Sequence, residues 1–174
     1  MKHQPVWLCI AVATLFSASA VTAAGRVPAA AQSPKKTVQC EVTSVHDGDS
    51  MRALCPGMKD TVRIRIHQID APEIRQAYGI ESRDTLRQLC KRGHTAKFTI
   101  VGKDDYGRLL SGVECQQKDV AGAMVESGGA WVYRQYRHDK ALIQLEQRAR
   151  EENRGLWQDP NALAPWTYRR QQRH

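Results

Sequence analysis

The stretch Thr61-Val62-Arg63-Ile64-Arg65-Ile66-His67-Gln68-Ile69-Asp70-Ala71-Pro72-Glu73 carries the plainest structural signal in this chain. Val62, Ile64 and Ile66 alternate with Arg63, Arg65 and His67, the period of a strand with one buried and one wet face. Pro72 ends it, because proline has no amide to give to a ladder. Upstream, His46-Asp47-Gly48-Asp49-Ser50 supplies the Asp and Gly of a tight bend between two strand-like runs, 37–45 and 50–54. Strand pairing then brings two acidic ends and Arg65 to one place. Hard oxygen ligands beside a guanidinium fork suit chemistry on a phosphodiester.

The remaining elements read as scaffold for that place. The strand itself spans 61–69, and Pro56-Gly57 marks the turn before it. Leu86, Leu89 and Cys90 fall at helical spacing within 80–92, with Gly93 placed as the stop. Strands at 95–101 and 108–115 flank a polar hairpin at 103–107. Val120, Met124 and Val125 mark a short helix ended by Gly128-Gly129, and 131–133 is a brief extended piece. Asp139 is placed to cap a last helix with Leu142, Leu145 and Ala149 on one stripe; Gly155 closes it and Leu156-Trp157 return to the core. Five strands with a helix between the third and fourth are the order of an OB-fold barrel: an α+β fold, mainly β barrel, with about three flanking helices.

Residues 1–24 read as a secretory signal: Lys2 and His3, an apolar run at 6–16 too short to span a bilayer, then small residues. Residues 25–36 read as a flexible leader, 37–158 as the folded domain, and 159–174 as a proline-containing basic tail. The expectation is an exported protein, periplasmic or secreted, monomeric and without a membrane segment when mature. A formal net charge of +8 favours an anionic partner. Setting Cys9 aside with the signal leaves Cys40, Cys55, Cys90 and Cys115, an even set in an oxidising compartment. If the bend at 46–49 joins antiparallel strands, Val45 faces Ser50 and Cys40 lies opposite Cys55. Cys90 and Cys115 then pair by elimination. A bridge closing the first loop is worth about 3 kcal/mol in the chain-entropy picture. The absence of any Cys-x-x-Cys spacing argues against zinc.

Each acidic motif is ordinary alone, one a turn and the other a strand end. Together Asp49 and Asp70 offer anionic oxygens to one hard cation, and neither thiolate nor imidazole ligands are arranged for a softer one. Arg63 reads as a solvated strand residue, and His46 and His67 as bend and polar-face residues. The sequence Val45-x-Asp47-Gly48-Asp49, then Arg65-(x)4-Asp70-Ala71-Pro72-Glu73, Tyr78-Gly79 and Asp105-Tyr106-Gly107-Arg108, with Gly155-Leu156-Trp157 and Pro165-Trp166 near the end, resembles the staphylococcal (thermonuclease) nuclease family in its exported bacterial members. The resemblance runs from about Val38 to Trp157.

That resemblance implies an OB-fold and a Ca²⁺-dependent, sugar-nonspecific endonuclease hydrolysing DNA and RNA to 3′-phosphate products. Asp49 and Asp70 match the family's calcium carboxylates. Ala71 matches a ligand acting through its backbone carbonyl, where the staphylococcal enzyme has Thr. Glu73 matches the general base or the orienter of the attacking water, and Arg65 and Arg108 match the guanidinium groups that clamp the phosphate. Asp47 matches an acid behind the metal ligands. Tyr106, Trp131 and Tyr133 match groups around the nucleotide, Trp131 standing where the staphylococcal enzyme has Tyr. Two departures stand out. Four residues separate Glu73 from Tyr78, so the family's flexible loop and its substrate-facing lysine are missing, and two extra residues fall between the Asp49 and Arg65 motifs. The alternative is a non-catalytic OB module binding single-stranded nucleic acid through charge and aromatics. The presence of Asp49, Arg65, Asp70, Glu73 and Arg108 together favours the enzyme. A surface adhesin would rest on little besides the basic end.

Overall fold

Alternating apolar residues produce the five ladders of a closed sheet in the computed structural model, which describes residues 36–173. The expected signal, and all of the leader but Lys36, lie outside the described residues. β1 (Lys36–Val45), β2 (Ser50–Leu54), β3 (Val62–Ile66), β5 (Thr95–Lys103) and β6 (Leu109–Cys115) form the barrel, with neighbours in the order β3-β2-β1-β5-β6. A parallel pairing of β3 with β6 closes it, Ile64 against Leu109 and Arg65 against Leu110. Inward-facing Val42, Met51, Ala53, Ile64, Ile66, Phe98 and Val113 are buried, so the barrel interior is a packed core. β4 (Ile69–Asp70) and β8 (Trp131–Val132) pair outside it. β7 (Lys118–Asp119) returns from β6 through Gln116 and Gln117, both at positive φ.

Among the described residues four α-helices flank the barrel, one more than expected: α1 (Gly79–Leu89), α2 (Val120–Glu126), α3 (Lys140–Glu151) and α4 (Pro165–Gln171). Asp139 caps α3 as expected, its carboxylate accepting from the amides of Ala141 and Leu142. Glu146 of α3 is buried, accepts from the Val132 amide at 3.0 Å and from Arg137 at 2.9 Å, and so fixes β8.

The cysteines pair as the register argument expects, Cys40 with Cys55 and Cys90 with Cys115. The register near the bend differs by one residue. Thr43 bulges out of β1, so Val45 faces Met51 and not Ser50, while Glu41 still faces Leu54. The strand expected over 61–69 stops at Ile66, because Gln68 at φ 72° turns the chain out of the barrel. α1 stops at Leu89 rather than 92; Cys90 is bridged to β6, and the Gly93 amide donates to the Val42 carbonyl. The segment expected as a tail is helical from Pro165, which suits the first helical position.

Candidate active site

The floor of the site is built by the bend after β1. His46 donates its amide to the Ser50 carbonyl at 3.0 Å, and the Asp49 amide donates to the Asp47 carboxylate at 3.1 Å. Gly48 is needed by close approach: a Cβ there would sit 1.8 Å from Ser82 Oγ on α1. The Ile66 amide donates to the Asp49 carbonyl at 2.8 Å, tying the bend to the end of β3. Because Gln68 redirects the chain, Ala71 then comes beneath the bend and its amide donates to Asp49 Oδ2 at 2.6 Å. The two acidic ends are thereby locked together.

Arg65 lies between them. Its Nη1 donates to the carbonyls of Ile66 and Ile69, each at 2.8 Å, and its Nη2 lies 3.0 Å from Asp70 and 3.1 Å from Asp49. The Asp49 and Asp70 side chains are 8% and 0% exposed. Burial pushes the Asp49 carboxyl well above the usual range; Arg65 and the Ala71 amide oppose this, and the nearby Asp47 and Asp70 charges add to it.

Arg108 arrives from the β5–β6 hairpin, and the parallel closure of β3 on β6 sets it beside the Arg65 strand. Asp104 organises that hairpin. Its carboxylate accepts from the amides of Tyr106 (3.0 Å) and Arg108 (2.8 Å) and from Arg108 Nε (2.7 Å). Burial works to raise the Asp104 carboxyl, but these hydrogen bonds and the Arg108 charge outweigh it and hold it below the usual range. Arg63 is not merely solvated: its Nη2 donates to the Tyr106 carbonyl at 2.6 Å and anchors the hairpin to β3. Tyr106 is 68% exposed, with Arg108 5.6 Å over its ring.

Asp47, Asp49, Arg65, Asp70, Ala71, Glu73, Tyr106, Arg108 and Tyr133 all border one open cleft of about 910 Å³. Trp131 does not. It is buried at 9% exposure in a cluster with Trp157, Trp166 and Arg150, away from the cleft in which it was expected. Alternation on the two-residue β8 explains the difference: its backbone pairs with Asp70 while its ring packs into the helical layer.

Two residues were missed from the sequence. Asp104 is one; an acid four positions before Arg108 around a glycine turn was the available signal. The other is Arg169 of α4, whose guanidinium bonds Asp70 and Glu73. Burial pulls the Arg169 pKa down, yet the hydrogen bonds and charges of Asp70 and Glu73 carry it above its usual value, so it stays a cation. Trp166 and Arg169 three residues apart, after Pro165, would have revealed an anchored helix.

The donor set fits a hard cation. Asp49 and Asp70 provide buried carboxylates that open on the cleft. Among the described residues no three His, Cys, Asp or Glu side chains are arranged to hold a metal, and a hard cation also accepts main-chain carbonyls and water as ligands.

Residues 63–159 match the family described as staphylococcal nuclease homologue. A Haemophilus influenzae protein described as an uncharacterized endonuclease is 37% identical over 134 residues, 77% of this chain and 74% of that one. An Escherichia coli protein of the same description is 40% identical over 129 residues, 74% and 82% of the two chains. A Shigella flexneri micrococcal nuclease is 37% identical over 141 residues, 75% and 79% of the two chains.

Proposed function

The chain belongs to the family of staphylococcal nuclease homologues, and from that premise we propose that it is an exported, Ca²⁺-dependent endonuclease hydrolysing DNA and RNA to 3′-phosphate products. Its nuclease character rests on family membership and on its likeness to proteins described as endonucleases and as a micrococcal nuclease. One observation carries the mechanism: the Ala71 amide bonds Asp49, packing two carboxylates around Arg65 in the cleft that Arg108 and Glu73 also border. Asp49, Asp70 and the Ala71 carbonyl would hold Ca²⁺, which supplies polarisation of a phosphoryl oxygen and orientation of water.

Phosphodiester hydrolysis builds negative charge on the equatorial oxygens as water attacks in line. Arg108 is held through Nε, and among the described residues neither of its Nη atoms has a hydrogen-bond partner. That fork is available for two parallel bonds to the developing charge, which lysine cannot make. Arg65 has both Nη atoms committed to protein, so it lends positive charge from the floor. Glu73 takes the proton of the attacking water, directly or through a second one. The bond to the 5′ oxygen breaks, and that oxygen leaves with a proton from solvent.

Export is supported by the signal-like residues 1–24 and by two disulfides, which persist in oxidising compartments. The test is degradation of plasmid DNA and of RNA in Ca²⁺, followed by end analysis. Products should accept label from polynucleotide kinase without phosphatase treatment, as 5′-hydroxyl ends do. A 5′-phosphate end would overturn the assigned scission, and retardation of an oligonucleotide without cleavage would favour the non-catalytic module.

A further inference from the structure

α4 lies beyond the residues that match the family, which end at 159, yet it places a side chain in the site. Arg169 makes a bidentate pair with Asp70, Nη1 to Oδ1 at 3.1 Å and Nη2 to Oδ2 at 2.8 Å. The same Nη1 donates to Glu73 Oε1 at 2.8 Å. Among the described residues no other side chain bonds the Glu73 carboxylate, which is 37% exposed. The Glu73 backbone, in contrast, is fixed. Its amide donates to Gln76 Oε1, and a Cβ at Gly79 would lie 2.0 Å from its carbonyl oxygen. The short turn sets where Glu73 begins, and Arg169 sets where its carboxylate points.

The helix carrying Arg169 has anchors of its own. Trp166 packs edge-on against Trp131 at 5.6 Å, Arg134 lies 5.9 Å over the Trp166 ring, and Gln76 Nε2 donates to the Leu163 carbonyl. Substitution at 169 therefore leaves α4 seated.

Resting on the Ca²⁺-nuclease reading, we propose that Arg169 is a positioning residue with two opposed effects: it holds Glu73 beside Asp70 for turnover, and its charge competes with the divalent ion for Asp70. Every Asp70 oxygen already faces a guanidinium, Oδ1 that of Arg65 as well as Arg169. A divalent ion at Asp70 must be held against that positive charge. Removing Arg169 relieves the repulsion and, in the same stroke, frees Glu73 to turn into solvent.

The two effects move in opposite directions, which separates them from a bracing role. Calorimetric titration of Arg169→Ala with Ca²⁺ should give binding about tenfold tighter than wild type, from loss of a unit charge close to the ion. On an oligonucleotide substrate its kcat should fall about a hundredfold through misplacement of Glu73, with KM nearly unchanged. Arg169→Lys should return Ca²⁺ affinity to near the wild-type value and restore part of kcat. Should Arg169→Ala fail to fold by circular dichroism, Arg169→Gln serves the same comparison. Ca²⁺ binding that is weaker, unchanged or absent in the variant overturns the proposal, as does an unchanged kcat. A wild type that binds Ca²⁺ but cuts nothing overturns the nuclease reading instead, and the titration distinguishes the two failures.

Discussion

Arg65 and Arg108 border one cleft and are held in opposite ways. The Arg65 side chain is 13% exposed, and its partners are two main-chain carbonyls and two buried carboxylates. The Arg108 side chain is 29% exposed on a hairpin, and its anchor is a single carboxylate. The floor of the site is thus also part of the fold, whereas the rim is an attachment. Charge that must be buried to work has to be fixed by the structure around it, and charge that must move onto a substrate has to be left partly free.

The largest expected effect tests the floor. Arg65→Ala takes away the guanidinium paired with the buried Asp49 and leaves Asp70 to Arg169 alone, and should cost about 3 kcal/mol of stability besides abolishing cleavage. Urea unfolding reads it; a midpoint equal to wild type would show that the floor is not structural. Arg108→Ala is the counterpart. It should add about 3 kcal/mol to the barrier, while the urea midpoint stays put. A large stability loss there would erase the distinction between floor and rim.

A smaller effect separates core from cleft. Trp131→Phe should lower stability by about 1–2 kcal/mol, since it thins the Trp157–Trp166–Arg150 cluster, and leave KM and kcat alone. A raised KM with unchanged stability would return Trp131 to the substrate. The smallest effect concerns the rim's own anchor. The Asp104 carboxyl titrates below its ordinary value near 3.8. Its contribution to stability is therefore present above that value and lost as pH falls through the lowered one. The stability difference between wild type and Asp104→Asn should be full at neutral pH and close in acid below about pH 4. A difference that widens on acidification would contradict the sign.

The same division governs what was legible in the residues. The floor rests on local signals: Val62 to His67 alternate, Asp47-Gly48-Asp49 is a bend, and a hairpin register pairs Cys40 with Cys55. What escaped is conformation that ordinary residues adopt under tertiary constraint. Gln68, Gln116 and Gln117 take positive φ, a conformation that Gly, Asn or Asp would have advertised. The Thr43 bulge shifts the β1–β2 register just beyond Glu41, where the pairing of β1 with β5 ends. Trp131 and Arg169 exchanged places in expectation, the aromatic going inward and the basic end coming to the site. Both depend on packing between segments far apart in sequence, Arg169 standing 99 residues from Asp70.

If these carboxylates and arginines form one metal-dependent hydrolytic site, cleavage needs both the ion and Glu73. The most direct test is plasmid cleavage by the wild-type chain and by Glu73→Gln, each confirmed folded, in Ca²⁺ and in excess chelator. Wild type should cut rapidly in Ca²⁺ and not at all in chelator, and Glu73→Gln should be slower by a hundredfold or more, in line with the about 10²–10⁴-fold contribution of a positioned base. Cleavage that survives the chelator, or a Glu73→Gln chain as fast as wild type, would contradict this requirement.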